Sequence, residues 1–275
     1  MSSDAKNGQL HGNPSIERRP SLPFSYYREG REWSLPSGCT EVVLRKQIIF
    51  ISGITLIAVV AMWPYGSKSE LHSAEIAHKI IRLLAPKTDG ATSVEKALRE
   101  RRSIREFKRQ PLSIAEISQV LWAAQGITGS GGVRTAPSAG ALYPLELYLV
   151  AGNVEGLTEG VYKYRPDGHE LIRAVEGDKR IELSRAALGQ TSVRDAAAVL
   201  LLTAVYEKST ARYGERGIRY VHIEIGHVGQ NVCLQAVALK LGAVVIGAFD
   251  DSQVKRIANL MPKEEPLYLI AIGKT

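Results

Sequence analysis

The chain has 275 residues, 45% of them hydrophobic and 23% charged, which excludes disorder along its whole length. Its net charge of +7 favours anionic partners, but the basic residues are too evenly spread to announce a nucleic-acid surface. Cys39 and Cys233 are too distant in sequence for a CxxC or Cys/His ligand cluster, so a disulfide scaffold and a structural zinc site are excluded and no metal is expected.

Residues 1–41 mix Ser, Pro, Gly and charges without apolar periodicity and are expected to be disordered. Residues 42–65 follow, with an uncharged stretch from Gln47 that holds Ile48, Ile49, Phe50, Ile51, Ile54, Leu56, Ile57, Val59, Val60 and Met62. This reads as one hydrophobic helix outside the folded domain, either a transmembrane anchor or a signal sequence. Lys6, Arg18, Arg19, Arg28, Arg31, Arg45 and Lys46 precede the uncharged stretch and Lys68 stands almost alone after it, so the remainder of the chain is expected outside the cytoplasm. A buried core helix is the competing reading. Residues 66–92 are a spacer with a short amphipathic helix expected from Ile76 to Leu84, and residues 93–275 form one domain with alternating helical and extended patterns.

Within that domain Ser93 precedes a first helix, and Ser113 with Glu116 forms a capping-box pattern that opens a second, ending before Gly126. A glycine-rich loop spans 126–132. Residues 144–150 read as a strand, and 160–175 as a hairpin turned by Pro166-Asp167-Gly168. The run 196–205 is apolar on both faces, as in a strand covered by helices on each side. A long helix is expected over 218–241, with Val221, Ile225, Val228, Val232, Ala236 and Leu239 as its buried stripe and Gly242 as its stop. Gly226 and Gly229 within it predict close approach of a partner helix. A strand over 244–249, a helix capped by Asp250 or Asp251 and a strand over 266–272 complete the domain.

The densest positive charge is Arg99, Arg101, Arg102, Arg105, Lys108 and Arg109, enclosing Ser103. Guanidinium groups grip phosphate bidentately and a hydroxyl adds a neutral donor, so this segment can surround an anion. A solvated basic helix end is the plainer alternative. The loop 126–132 lacks the Gly-Lys-Ser/Thr of a phosphate loop, and His222 and His227 are badly spaced for a shared metal on one helical face.

Arg101-Arg102-Ser103-Ile104-Arg105-Glu106-Phe107 resembles the opening motif of the nitroreductase family of flavin mononucleotide (FMN) enzymes. Pro137-Ser138-Ala139-Gly140-Ala141-Leu142-Tyr143-Pro144 is similar to the family's proline-serine segment, in its SagB-type dehydrogenase branch, which includes azoline oxidases of peptide natural products. The helix with Gln230-Asn231, the segment Gly247-Ala248-Phe249 and the ending Ile272-Gly273-Lys274 are similar to later family motifs, in the same order.

The resemblance implies an α+β nitroreductase fold, with a central mixed sheet flanked by helices. It implies a homodimer with FMN at the interface. Arg101, Ser103 and Lys274 would hold the cofactor phosphate, Arg102 the ribityl chain and Arg105 the pyrimidine edge, where a reduced flavin carries negative charge. Gly247 and Ala248 would lie near the hydride acceptor N5, Gln230 would be a further cofactor contact, and Pro137, Ser138, Ala139 and Gly140 would come from the partner subunit. The azoline oxidases use a Lys-Tyr pair; here Arg212-Tyr213 stands at that place, leaving Tyr213 as the acid-base candidate. The implied activity is ping-pong hydride transfer to a small-molecule or peptide substrate, with NAD(P)H as the family's usual donor. Two alternatives stand beside it: a peptide azoline-type dehydrogenase, and a membrane-tethered flavin-binding protein without turnover.

Overall fold

The computed structural model describes residues 80–275. The expectations for residues 1–41 and 42–65, and for the spacer before residue 80, lie outside the described residues. Among the described residues no helix is long and apolar enough to cross a membrane.

The elements run β1 (Ile80–Arg82), α1 (Val94–Glu100), α2 (Ile114–Gln125), β2 (Leu145–Ala151), β3 (Gly160–Arg165), β4 (Glu170–Glu176), α3 (Arg180–Ala186), α4 (Thr191–Asp195), β5 (Ala198–Ala204), α5 (Glu207–Tyr213), α6 (Arg216–Ala238), β6 (Leu241–Ile246), α7 (Asp251–Ala258) and β7 (Glu265–Lys274). The strands form one sheet in the order β1-β4-β3-β2-β5-β7-β6, and every pairing is antiparallel. The expected mixed sheet is therefore corrected. The unbroken apolar run of β5 reflects helices on both faces, which an antiparallel sheet also allows, rather than parallel neighbours.

The two faces separate cleanly along that strand. Leu200 and Leu202 join Ile117, Val120 and Leu121 of α2 and Val221, Val228 and Val232 of α6. Val199 and Leu201 join Leu183 of α3, Val193 of α4 and Val254 and Ala258 of α7 on the other side. The period-two alternation of strand side chains thus meets a different helical layer on each face.

The capping signals act as read. Ser93 Oγ accepts from the Lys96 amide. Ser113 and Glu116 close a reciprocal capping box at α2. The long helix ends earlier than expected, at Ala238, and Lys240 makes the left-handed turn with φ 57°. Gly242 lies inside β6, opposite Gly273 of β7, and is needed there for a reason given below.

The helix expected over 76–84 is also corrected within the described residues. Ile80–Arg82 pairs with the open edge of β4, with Ile81 packed on the core and Ile80 facing solvent, which is a strand's alternation. Gly229 receives the ring of Tyr268, 3.1 Å from where its Cβ would be, rather than a helix backbone. Among the described residues outside its own helical turn, nothing lies within 4 Å of a Cβ at Gly226.

Candidate active site

The arginine-bearing segment begins where α1 stops, with the Arg101 amide donating to the Ala97 carbonyl. Ser103 bridges Ala243 of β6, and the Ile104 amide donates to the Ala243 carbonyl over 3.0 Å. Five residues on, the Lys108 amide donates to the Lys274 carbonyl of β7 over 2.9 Å. Between these two attachments the segment passes over the paired glycines Gly242 and Gly273. A Cβ at Gly242 would stand 2.7 Å from Ile104 Cγ2, and one at Gly273 would stand 2.7 Å from Phe107 Cγ. Two missing side chains therefore make the seat for two apolar ones, and Ser103 and Arg105 are left exposed.

The charges in this segment are not equivalent. The Arg102 guanidinium turns back onto the carbonyls of Arg99 and Arg101, at 2.9 and 2.8 Å, and caps the end of α1. Among the described residues Arg101 and Arg105 make no hydrogen bond or ion pair, and the Ser103 hydroxyl has no partner. Arg101 is half-buried beside Cys233 of α6; burial raises the thiol's pKa and the Arg101 charge opposes that rise. A cavity of about 270 Å³ opens here, lined by Arg102, Ile104, Cys233, Ala236, Lys240 and Ala243 among others.

Lys274 is brought to the segment by its backbone, but its ammonium is held by Glu116 Oε1 at 2.6 Å. Burial raises the pKa of that carboxyl, yet the Lys274 ammonium and the Ser113 amide and hydroxyl outweigh it and hold it below its ordinary value.

The proline-serine loop, residues 137–143, sits elsewhere on α6. Gly140, Ala141 and Tyr143 all have left-handed backbone, with φ of 62°, 54° and 45°. The Tyr143 amide donates to Ser138 Oγ over 3.0 Å. A Cβ on Gly140 would meet Tyr213 Oη at 2.6 Å and Arg212 Nη1 at 3.0 Å, so the bare glycine lets the loop rest on this pair. The Tyr213 ring in turn stands edge-on to Tyr220, with centroids 5.1 Å apart.

Ser138 lies beside Glu224 and Arg101 beside Cys233. Those two positions are nine residues apart on α6, or about 13 Å along its axis. Within one chain the structure therefore brings Pro137, Ser138, Ala139 and Gly140 to Tyr213, and Arg101, Arg102, Ser103 and Arg105 to the end of the sheet, without joining the two groups. Gln230 is exposed on α6 between them. Gly247 and Ala248 are exposed beyond the far end of β6, where the Ala248 carbonyl accepts from Gln190 Nε2 over 3.3 Å. Four residues of strand, about 13 Å, separate Gly247 from Ala243.

Residues 98–274 match the nitroreductase family model. The chain belongs to the nitroreductase family. A nitroreductase-type protein of Methanocaldococcus jannaschii is 46% identical over 181 residues, 66% of this chain and 90% of that one. The microcin B17-processing protein of Escherichia coli is 33% identical over 159 residues, 55% of this chain and 58% of the relative, so the chain spans little more than half of it. Among solved structures, a nitroreductase-type protein of Ralstonia eutropha superposes with a TM-score of 0.63 at 28% identity, covering 71% of this chain and 89% of that one. The E. coli microcin synthetase complex with truncated pro-microcin B17 superposes with a TM-score of 0.55 at 25% identity, covering 84% and 78%.

For a nitroreductase cofactor the donor set is suitable: two guanidiniums and a hydroxyl without partners among the described residues, on a segment whose Arg102 and Ile104 line a cavity, suit a phosphate-bearing ligand. Two acidic residues escaped the sequence reading. Glu116 was taken only as a helix cap, and nothing local announces its pairing with Lys274 across the fold. Glu224 did leave a signal, a charged residue at the buried spacing of α6 between Val221 and Val228.

Proposed function

We propose that this nitroreductase is an FMN-dependent oxidoreductase working by ping-pong hydride transfer. The observation that carries the reading is that, among the described residues, the guanidiniums of Arg101 and Arg105 and the hydroxyl of Ser103 between them in sequence have no hydrogen-bond or ion-pair partner. When bound, FMN would supply a ring that accepts a hydride from a donor and passes it to an acceptor. Arg101 and Ser103 hold its phosphate, Arg102 lies along the ribityl chain, and Arg105 at the pyrimidine edge favours the charge of the reduced form. Lys274 joins Arg101 only by exchanging Glu116 for the phosphate. Gly247 and Ala248 border the hydride-accepting edge, and Gln230 is a further contact. Tyr213 holds or supplies a proton, a role that the guanidinium of Arg212 is chemically unsuited to take as a base.

A second copy supplies Pro137, Ser138, Ala139 and Gly140 to each site. Support for this homodimer comes from the separation of the two groups along α6. It also comes from the open flank of that helix, where Ile218 and Ile223 are 42% and 50% exposed near the bare Gly226. The hydrophobic stretch 42–65 serves as a membrane anchor or export signal, which puts the domain outside the cytoplasm. There NAD(P)H is scarce, and a membrane quinol becomes a candidate donor.

The test is the visible spectrum of the purified protein, followed by anaerobic titration with NADH, NADPH and quinols. Bound flavin that a donor bleaches supports the reading, and a colourless protein that takes up no added FMN overturns it. Arg101→Ala should release the cofactor, whereas Arg105→Ala should keep it and slow its reduction; equal loss of colour from both would contradict the division of roles. The likeness to the microcin B17-processing protein favours a second reading, a dehydrogenase acting on a peptide azoline. Bleaching by such a peptide and not by NADH would identify it.

A further inference from the structure

Glu224 is 3% exposed, on the inner face of α6, and its Oε1 has no hydrogen-bond partner. Gln125, the last residue of α2, is equally enclosed, and its Nε2 is also unsatisfied. A native interior rarely leaves such groups unpaired without a role for them.

The surroundings form a ring of polar groups beneath the loop 137–143, bonded to one another except at Glu224. Ser138 lies against the Glu224 carboxyl and accepts from the Tyr143 amide at 3.0 Å. Tyr143 Oη accepts from the Arg134 amide at 3.1 Å, and the Arg134 guanidinium stacks 4.5 Å above the Tyr143 ring. Arg134 Nη1 then donates to Gln125 Oε1 at 2.8 Å, and Gln125 returns to the side of Glu224. The loop so enclosed has the three left-handed residues and holds Gly140 against Arg212 and Tyr213. Such a backbone persists only where its surroundings over-determine it.

We propose that Glu224 is the positioning residue of the loop 137–143, the buried member of a polar ring that fixes Ser138 and Tyr143 and so sets Gly140 against Arg212 and Tyr213. Burial pushes the carboxyl's pKa up, while Ser138, Gln125, Arg134 and the Lys208 ammonium pull it back, leaving it above its ordinary value. Glutamine matches the carboxyl in shape and keeps a polar head, which gives the test its rescue variant. The loop's place beside a cofactor rests on the flavin reading; the ring does not.

Amide hydrogen exchange on the full chain decides the matter, comparing wild type, Glu224→Gln and Glu224→Ala. Glu224→Ala should lower the protection of the loop amides about tenfold, the scale of one buried polar contact removed, with the β5 amides unchanged. Glu224→Gln should restore wild-type protection. Equal loop protection in all three proteins, or a loss that spreads evenly to β5, overturns the proposal. Should Glu224→Ala fail to fold, the comparison with Glu224→Gln still decides, since a loop loosened as far by glutamine as by exposure of the chain to mild urea contradicts the rescue. The exchange result holds whether or not the protein retains flavin, whereas absence of flavin sinks only the cofactor reading.

Discussion

Phe107 and Gly273 share one place: the phenylalanine ring of the arginine-bearing segment lies where a Cβ on β7 would be, with Cγ 2.7 Å from it. Gly273→Ala must therefore move either the ring or the strand, and overpacking of this kind costs about 1–3 kcal/mol. Urea denaturation should show that loss, and flavin retention should fall with it because the segment carries Arg101 and Arg105. Unchanged stability would mean that Phe107 is free to leave its seat.

Lys274 and Glu116 tie the end of β7 to the start of α2, with both side chains less than one-third exposed. Lys274→Met should destabilise the protein by about 1 kcal/mol, as expected for a partly shielded pair. The Glu116 pKa is held below 4.5, so its stabilising share is present above that pH and lost as pH falls through the lowered folded value. The difference between wild type and Lys274→Met should shrink in the same acid window. A variant that keeps full stability but loses flavin would instead identify Lys274 as a phosphate ligand.

Glu264 is buried at 2% exposure and accepts from Tyr148 Oη at 2.6 Å, Lys163 Nζ at 2.9 Å and Thr203 Oγ1 at 3.3 Å. Burial and this carboxylate push the Tyr148 pKa far upward. Glu264→Ala orphans a tyrosine and a threonine and strips the Lys163 ammonium of one of its two carboxylates, and a loss of about 3 kcal/mol is expected in chemical denaturation. Glu146 at 3.2 Å retains part of the Lys163 attraction, so Glu146→Gln combined with Glu264→Ala should lose more than the sum of the two.

His169 joins three parts of the fold: its Nδ1 meets Tyr164 Oη at 2.8 Å, and its Nε2 meets Ser118 Oγ at 2.7 Å and the Leu84 carbonyl at 2.9 Å. Burial lowers its pKa below 6.5, with the Leu84 carbonyl opposing. The folded protein binds this proton less readily than the unfolded chain, so the contribution is whole above 6.5 and fades as pH falls through the lowered value. Stability measured between pH 8 and 5 should drop more for wild type than for His169→Gln, and parallel curves would rule this histidine out as the cause.

Much of the scaffold was legible because its causes are local. The stripe Val221, Ile225, Val228, Val232 and Ala236 marks α6 by spacing alone, and the Ser113–Glu116 pair marks the start of α2. The short helices α3, α4 and α5 were missed, each at most seven residues long and held by packing rather than by a repeating pattern. Gly242 was misplaced because a glycine after a helical stripe looks like a stop, whereas here it serves a segment more than 130 residues earlier in the chain. The arginine cluster could be picked out as a candidate anion site. Which of its members remain free could not, since Arg102 and Lys274 are taken up by carbonyls and a carboxylate that only folding brings near.

That internal use of charge has a consequence for ionic strength. Arg99 pairs with Glu100, Arg102 caps a helix and Lys108 Nζ donates to the Thr275 carbonyl, so half of the six basic residues from Arg99 to Arg109 are already engaged. Salt should weaken anion capture here only as steeply as a few unshielded cations require, and much less than the raw count of arginines suggests.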